Sequence, residues 1–400
     1  MTALLGKREF RHFFLADIIS GFGVGLTTVG ANWYVLQVTH SNRLVGLYLT
    51  VNVLAGFLMA PLAGILTDRL SRKSVILWTF LGRALPMLVI MLVIGKSGFS
   101  LWSMAILASI TGAGWITYMA ASRSYVQAIL PVALLGTANA FIEISLQVGM
   151  FAAGAVAGLI LSYTGFATVL LISSALLLIA AGLIATIPKH ESVVPSKTAD
   201  SQQTGFMAGI RYIGSQRLVF SLGMLSILPL IVTQLFNVSA PDYVVTILKA
   251  NSVVYGLTDM SYGIGGLVAG LITGFLIAKV AERRLISYLF GLATLGLLVL
   301  TLTRLIPLTL ICTFSLGLSN SVLRVVINTV LMKRVASEYM GRTTAVWNGT
   351  AQLIEGGAST LLGVVNDTWG ANIGFLVMAM IMLIGVVWSA KVLSKARISR

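Results

Sequence analysis

Charged residues are scarce in this sequence. Asp, Glu, Lys and Arg make up 10% of its 400 residues, whereas 57% are hydrophobic, and the mean hydropathy is +0.96. A typical soluble domain carries about 25% charged residues, because these side chains cover the surface that faces water. The composition therefore excludes a soluble globule and predicts an integral membrane protein.

Cysteine and histidine are almost absent. Cys312 is the single cysteine, so neither a disulfide framework nor a cysteine metal site is available. The three histidines, His12, His40 and His190, lie at or near the ends of apolar runs. The H-E-x-x-H, G-x-S-x-G and G-x-x-x-x-G-K-[ST] motifs are all missing. We therefore expect neither an enzyme nor a self-contained ATP pump, and no cofactor or metal.

Acidic residues are fewer than basic ones, 12 against 27, which gives a net charge of +15. The cations do not cluster on one amphipathic face or arm, as a phosphate-binding surface requires, so nucleic acid is not an expected partner. They concentrate in alternate loops, which predicts that these loops and both termini are cytoplasmic. The intervening loops hold only Arg43, Lys96, Lys249 and Arg304.

Long apolar runs dominate the rest of the chain. A membrane-spanning helix needs about 20 residues, since each residue adds about 1.5 Å. Twelve runs reach that length, which predicts an all-α membrane protein with twelve transmembrane helices. The runs cover about 13–38, 43–66, 74–94, 101–122, 134–162, 165–187, 218–240, 252–278, 285–303, 306–330, 342–365 and 370–390.

The loop between the second and third runs carries the most specific motif. Residues 64–73 read G-I-L-T-D-R-L-S-R-K, which resembles the loop between helices 2 and 3 of the major facilitator superfamily of secondary transporters. Ser71 stands where that family usually has glycine. The resemblance implies a conformational gating motif formed by Gly64, Asp68, Arg69, Arg72 and Lys73.

The resemblance also implies two pseudo-symmetric six-helix bundles, and the sequence contains a matching internal repeat. At an offset of 205 residues the fifth run aligns with the eleventh, and Gly165 meets Gly370. A polar stretch containing two of the eight prolines separates the sixth and seventh runs. We therefore expect bundles at 1–187 and 218–400, joined over 188–217 by a cytoplasmic linker with a short amphipathic helix.

In this family the hairpin after helix 2 meets the inner end of helix 11, which here begins near Gly341 and Arg342. A carboxylate at that position can accept hydrogen bonds from the free amides of a helix start. The second copy of the motif has Ala278 where the first has Asp68. We hypothesise that Asp68 clamps the two halves on the cytoplasmic side in the outward-facing state.

Several segments resemble the macrolide-efflux and siderophore-exporter branch of the superfamily. They are NWYVLQVTHS, ASRSYVQAILP, LLGTANAFIE and EYMGRTTAVWNGTAQ. The glycine-rich stretch 149–160 is similar to the antiporter motif of helix 5, although Ala155 replaces its usual proline. These resemblances imply export by antiport.

Ionisable residues at membrane depth are the candidate coupling sites, because such groups are costly in hydrocarbon and usually face a cavity or one another. Glu143 in the fifth run is the first candidate for proton coupling, and Glu355 in the eleventh is the second. Glu143 can instead be a hydrogen-bonded scaffold carboxyl. Glu355 can instead form a structural ion pair with Arg324 of the tenth run.

Five further polar residues are weaker candidates. Asp17 lies near the start of the first run, where it can also snorkel to water or pair with Arg11. Asp259 can face an outer vestibule, and Arg83 is expected to have a structural or snorkelling role. Gln147 and Gln352 recur in both halves and can contact substrate or bond helix to helix.

Taken together, these features predict a proton-driven exporter of an amphipathic small molecule, such as a drug, a macrolide or a siderophore. It would work by alternating access as a monomer in the cell membrane, in contact with lipid. Multidrug resistance is one expected role. Nutrient uptake, lipid flipping and sensing without transport remain alternatives on the same fold.

Overall fold

The structure, a computed structural model, describes residues 8–188, 210–335 and 337–395. These residues form twelve long α-helices and no β-strand. Each predicted apolar run falls on one helix, because a helix satisfies its own backbone hydrogen bonds in hydrocarbon. The helices are α1 (Arg8–Thr39), α2 (Asn42–Arg69), α3 (Arg72–Ser97), α4 (Leu101–Ile129), α5 (Val132–Tyr163), α6 (Phe166–Ala185), α7 (Arg217–Asp242, continued by a π-helical turn, Tyr243–Ile247), α8 (Ser252–Lys279), α9 (Glu282–Leu302), α10 (Ile306–Arg334), α11 (Ser337–Trp369) and α12 (Ala371–Lys395).

Ten of these helices are long and apolar enough to cross a membrane when only the described residues are considered. The other two are α5 and α11. The apolar part of α5 that can be described is the shorter segment Val148–Tyr163. Polar side chains interrupt α11, among them Asn348, Gln352 and Glu355. These two helices are related by the repeat, and both carry candidate site residues.

Local sequence explains several helix boundaries. Ser71 caps α3 by accepting a hydrogen bond from the backbone nitrogen of Ser74 at 3.3 Å. Gly165 ends α5 with φ 84°, and Gly370 ends α11 with φ 86°. Glycine enters this left-handed region without the steric cost that a side chain brings. The repeat therefore extends to the conformation of the turns.

The chain forms two compact units. The first contains the described residues within 1–40, 47–196 and 250–260, and the second contains those within 41–46, 197–249 and 261–400. In the first unit α1 packs on α5 and α6, and α3 packs on α4 and α6. In the second unit α7 packs on α11 and α12, and α9 packs on α10 and α12. The same packing order thus recurs six helices later.

Glycines allow the closest helix contacts inside each unit. A methyl group on Gly112 of α4 would overlap the carbonyl oxygen of Asn52 on α2. A methyl group on Gly317 of α10 would likewise overlap the carbonyl oxygen of Tyr262 on α8. Because lipid supplies no hydrophobic drive between helices, such close backbone approach supplies the packing attraction.

Most of the predicted linker, 189–209, lies outside the described residues. Residues 210–215 form a short helical stretch in which Ile213 is buried and Ile210 is exposed. The division of the sequence at 187 and 218 therefore stays a prediction.

Candidate functional site

One residue of the α2–α3 hairpin has a clear structural contact. The hairpin runs from Arg69, where α2 ends, through Ser71 to the start of α3. Lys73 Nζ donates to the carbonyl oxygen of Ala185 at 2.9 Å and to that of Ile187. A cation is favourable at these carbonyls, because they lie at the C-terminal end of α6. Lys73 therefore joins α3 to α6 within the first unit.

The carboxylate of the same hairpin is in a different situation. Asp68 is exposed and forms no hydrogen bond or ion pair with any residue that the structure describes. Gly64 faces open space, Arg69 is exposed and Arg72 is half-buried. Within the described ranges the single ion pair joins Lys333 to Glu282 at 2.5 Å. The clamping role of Asp68 stays a prediction.

Asp17 lies deep inside the first unit. Because α1 begins at Arg8, Asp17 is more than two turns into the helix, and its exposure is 0%. Snorkelling to water is therefore excluded. Tyr118 of α4 donates to one carboxylate oxygen, and Ser145 of α5 donates to the other. Since a hydroxyl can either donate or accept, these partners suit both the ionised and the protonated carboxyl.

Arg83 extends this buried group to α3. Its side chain is 2% exposed, so it does not snorkel. It lies against Gly114 of α4, where a methyl group would overlap its aliphatic part. The phenols of Tyr118 and Tyr48 both interact electrostatically with the guanidinium. Tyr118 therefore links Asp17 to Arg83, and we call these three residues with Ser145 the Asp17 cluster.

Asp259 lies in the first third of α8, in a segment that belongs to the first unit. One of its carboxylate oxygens is 2.8 Å from the position that a methyl group on Gly154 of α5 would take. One turn earlier, Tyr255 is buried and stacks on Trp33 of α1 at a ring distance of 5.5 Å. Asn32, beside Trp33, is 0% exposed. This second polar group joins α1, α5 and α8.

Glu355 belongs to the second unit, on α11, and is half-buried. Arg324 of α10 interacts with it electrostatically, but the two residues form no ion pair. The structural ion pair considered from the sequence is therefore absent for these described residues. Gln352 and Asn348 precede Glu355 by one and two helical turns, so all three share one face of α11.

The remaining candidates lie on α5. The side chains of Glu143 and Gln147 lie outside the described residues, so their predicted roles stay predictions. At the offset of 205 residues, Glu143 corresponds to Asn348 and Gln147 to Gln352. The repeat therefore keeps polar residues at both pairs of sequence positions, although the position of the carboxylate differs.

Sequence reasoning missed a polar group at the C-terminal end of α11. Asp367, near the end of that helix, accepts hydrogen bonds from the start of α2, and Asp242 at the end of α7 accepts one from Asn42. Both aspartates lie at helix ends, so a hydropathy profile does not distinguish them from charged residues in loops. The pattern that could have identified them is their position after a long apolar run. Among the residues described, no three His, Cys, Asp or Glu side chains converge on a possible metal position.

Comparison with known proteins gives the family. The sequence matches the Major Facilitator Superfamily profile over residues 13–354 and 222–397. It is 26% identical over 413 residues to the enterobactin exporter EntS of Shigella flexneri, covering 97% of this chain and 94% of that protein. It is 22% identical over 380 residues to YvqJ of Bacillus subtilis, an uncharacterised MFS-type transporter, covering 92% and 88%.

Solved structures show the same fold. The nucleoside transporter NupG matches with a TM-score of 0.75 and 15% identity, covering 97% of this chain and 99% of that one. A bacterial homologue of the human lysosomal transporter Spinster matches with a TM-score of 0.76 and 13% identity, covering 96% of each chain.

These matches confirm the predicted resemblance and the predicted fold class, an all-α membrane protein with the major facilitator fold. The matched family consists of membrane transporters, not enzymes, and small molecules are its substrates. The chain therefore belongs to the major facilitator superfamily and is a multi-pass membrane transporter.

Proposed function

We propose that this transporter exports an amphipathic small molecule in exchange for protons, and that a siderophore is the first substrate class to test. The observation that carries the proton part is the Asp17 cluster, a fully buried carboxyl whose two oxygens are held by hydroxyl groups. The substrate class is supported by the similarity to the enterobactin exporter along nearly the whole chain.

Proton exchange at Asp17 follows from the cost of a buried charge. An ionised carboxyl at membrane depth costs several kcal/mol unless it is compensated, so proton uptake relieves the cost when the site is closed from water. Tyr118 and Ser145 can reorient their hydroxyls as the proton arrives or leaves. Arg83 interacts electrostatically with the same Tyr118, which brings a positive charge to the cluster. The cluster thus suits a reversible proton site.

The driving force is sufficient. One proton that crosses a potential of 100 mV releases about 2.3 kcal/mol, which supports roughly a fifty-fold gradient of a neutral solute. Glu355 and Glu143 remain candidates for additional proton or cation binding. We place substrate contacts on the polar face of α11, where Asn348, Gln352 and Glu355 offer hydrogen-bonding groups within an apolar surround.

The remaining parts of the proposal follow the charge pattern and the family. Both termini are cytoplasmic, because the basic residues concentrate in loops on their side. Asp68 clamps the inner end of α2 to the start of α11 in the outward-facing state. The transporter works as a monomer in the cell membrane, and drugs such as macrolides are the second substrate class.

The test is proton release from energised inside-out vesicles, followed with a pH-sensitive dye while siderophores, macrolides and lipophilic cations are added in turn. Wild type is expected to respond to one class, and Asp17→Asn is expected to give no response to it. Glu9→Gln, on the same helix but in its first turn, is the matched control and should behave as wild type. Silence of a well-folded wild type across the panel would contradict proton-coupled export and favour uptake, lipid flipping or sensing.

A further inference from the structure

The start of α2 is held by a carboxylate from another helix. Asp367, two residues before the end of α11, accepts hydrogen bonds from Ser41 Oγ at 2.9 Å, from the backbone nitrogen of Asn42 at 2.6 Å and from that of Arg43 at 3.0 Å. The first backbone amides of a helix have no partner within it, and a negative charge there is favourable. Asp367 therefore caps the N-terminus of α2 from another helix, and we call this contact the outer cap.

A second carboxylate also contacts the start of α2. Asn42 Nδ2 donates to Asp242 Oδ2 at 3.0 Å, and Asp242 is 7% exposed at the end of α7. Asp242 and Asp367 carry like charges that repel each other, so the hydrogen bond from Asn42 to Asp242 holds the two carboxylates near one helix start. The first turn of α2 is therefore bound by two negative side chains, and residues 41–46 belong to the second unit although the rest of α2 belongs to the first.

The backbones of α2 and α11 also pack closely next to the outer cap. A methyl group on Gly46 of α2 would overlap the carbonyl oxygen of Ser359, and one on Gly363 of α11 would overlap that of Asn42. On α11 these contact positions and Asp367 follow one another at intervals of four residues, so they form one face.

The contact related to α2–α11 by the repeat shows close helix packing without a carboxylate cap. The related contact joins α8 to α5, where a methyl group on Gly158 would overlap the carbonyl oxygen of Ser252. At the position related to Asp367 this second contact has Ser162, whose hydroxyl donates to Leu159 of its own helix at 2.8 Å. The α5–α8 pair therefore packs closely without a carboxylate cap, so close packing does not require one. Asp367 must contribute something else.

The positions of Asp68 on α2 and Asp367 on α11 indicate what Asp367 contributes. Asp68 lies one residue before the end of α2 at Arg69, and Asp367 lies two residues before the end of α11 at Trp369. Each helix therefore carries one aspartate in its last turn. Asp367 binds the start of α2, and the clamp proposed above has Asp68 bind the start of α11. In the structure the outer cap is formed and Asp68 has no partner among the described residues.

We propose that Asp367 is the outer counterpart of Asp68, a catch that holds the outer ends of α2 and α11 together and must release α2 in each transport cycle. This inference rests on the proposed alternating access, but not on the substrate or on protons. The two aspartates would alternate: the outer cap breaks when the inner clamp forms.

Cysteine accessibility tests the outer cap without any substrate. Cys312 is the single cysteine, so Cys312→Ala gives a background in which Ser359→Cys reports on the α2–α11 contact. Right-side-out vesicles are treated with a membrane-impermeant maleimide, and the labelling rate is measured. We expect Asp367→Asn to raise the rate about tenfold or more, because the amide cannot accept all three hydrogen bonds.

Three further variants make the result interpretable. Gly46→Ala should raise the labelling rate even with Asp367 intact, since its methyl group overlaps the Ser359 carbonyl. Ser162→Ala, at the related end of α5, is the matched control and should leave the rate unchanged. Asp68→Asn should lower the rate, because the opposing clamp is lost.

An unchanged rate in Asp367→Asn beside a raised rate in Gly46→Ala would overturn the proposal, since glycine packing alone would then close this end. Unchanged rates in both variants would also overturn it. Size-exclusion chromatography checks folding. If Asp367→Asn does not fold, Ser41→Ala removes one of the three hydrogen bonds and should still raise the rate by a smaller factor. Failure of proton-coupled transport in the vesicle assay would leave this labelling result unaffected.

Discussion

The contact between Gly112 and α2 allows the helix packing to be tested quantitatively. In Gly112→Ala the added Cβ would lie 2.8 Å from the Asn52 carbonyl carbon and 3.1 Å from its Cα. Backbone cannot rotate away, so α2 and α4 must separate, and overpacking of this kind costs about 1–3 kcal/mol. The same separation weakens the hydrogen bonds from Asn52 Nδ2 to Thr111 Oγ1 at 2.8 Å and to the Ala108 carbonyl at 3.1 Å.

Each of these two hydrogen bonds contributes about 1 kcal/mol net, so the expected total loss is roughly 2–5 kcal/mol. The assay is thermal unfolding of the purified protein in detergent. Gly82→Ala is the matched control, because nothing lies within 4 Å of its added methyl group. It should be neutral or gain about 0.5–1 kcal/mol from helix propensity. Equal melting temperatures for the two variants would refute the packing argument.

Three other substitutions have defined outcomes. Lys73→Ala should lower thermal stability by about 1 kcal/mol, because the carbonyls at the end of α6 lose their cation, and an unchanged melting temperature would argue against that contact. Asp17→Ala should unfold at lower temperature than Asp17→Asn, since alanine removes the acceptor of the buried Tyr118 hydroxyl at a cost of about 1–3 kcal/mol, whereas the Ser145 hydroxyl keeps the Ile142 carbonyl at 2.8 Å; equal melting would contradict the hydrogen bond from Tyr118. Glu355→Gln should weaken substrate binding measured by fluorescence quenching and leave the melting temperature unchanged, whereas loss of stability alone would identify a scaffold role.

Hydropathy was sufficient to predict the helices. A span must be long and mostly apolar whatever surrounds it, so each of the twelve runs could be recognised from the sequence, including the run of α11 that polar side chains interrupt. The turns at Gly165 and Gly370 were also predictable as related positions, because the repeat is visible in the sequence. These predictions needed only the composition and periodicity of each segment and the repeat offset of 205 residues.

The polar contacts were not predictable in this way. Asp17 was expected near a helix end, because its apolar run begins later than the helix, which starts at Arg8. Its partners Tyr118 and Ser145 lie more than 100 residues away in sequence. Asp367 binds residues more than 300 positions earlier. Such pairings depend on which helix faces meet, and neither hydropathy nor motif spacing encodes that.

The central claim is that a buried carboxyl exchanges its proton for substrate. The most direct test is to add substrate to the purified protein in weakly buffered detergent and count the protons released. We expect about one proton for each substrate bound to wild type, and none for Asp17→Asn when that variant still binds substrate. Substrate binding to wild type without proton release, or equal release from Asp17→Asn, would contradict the account.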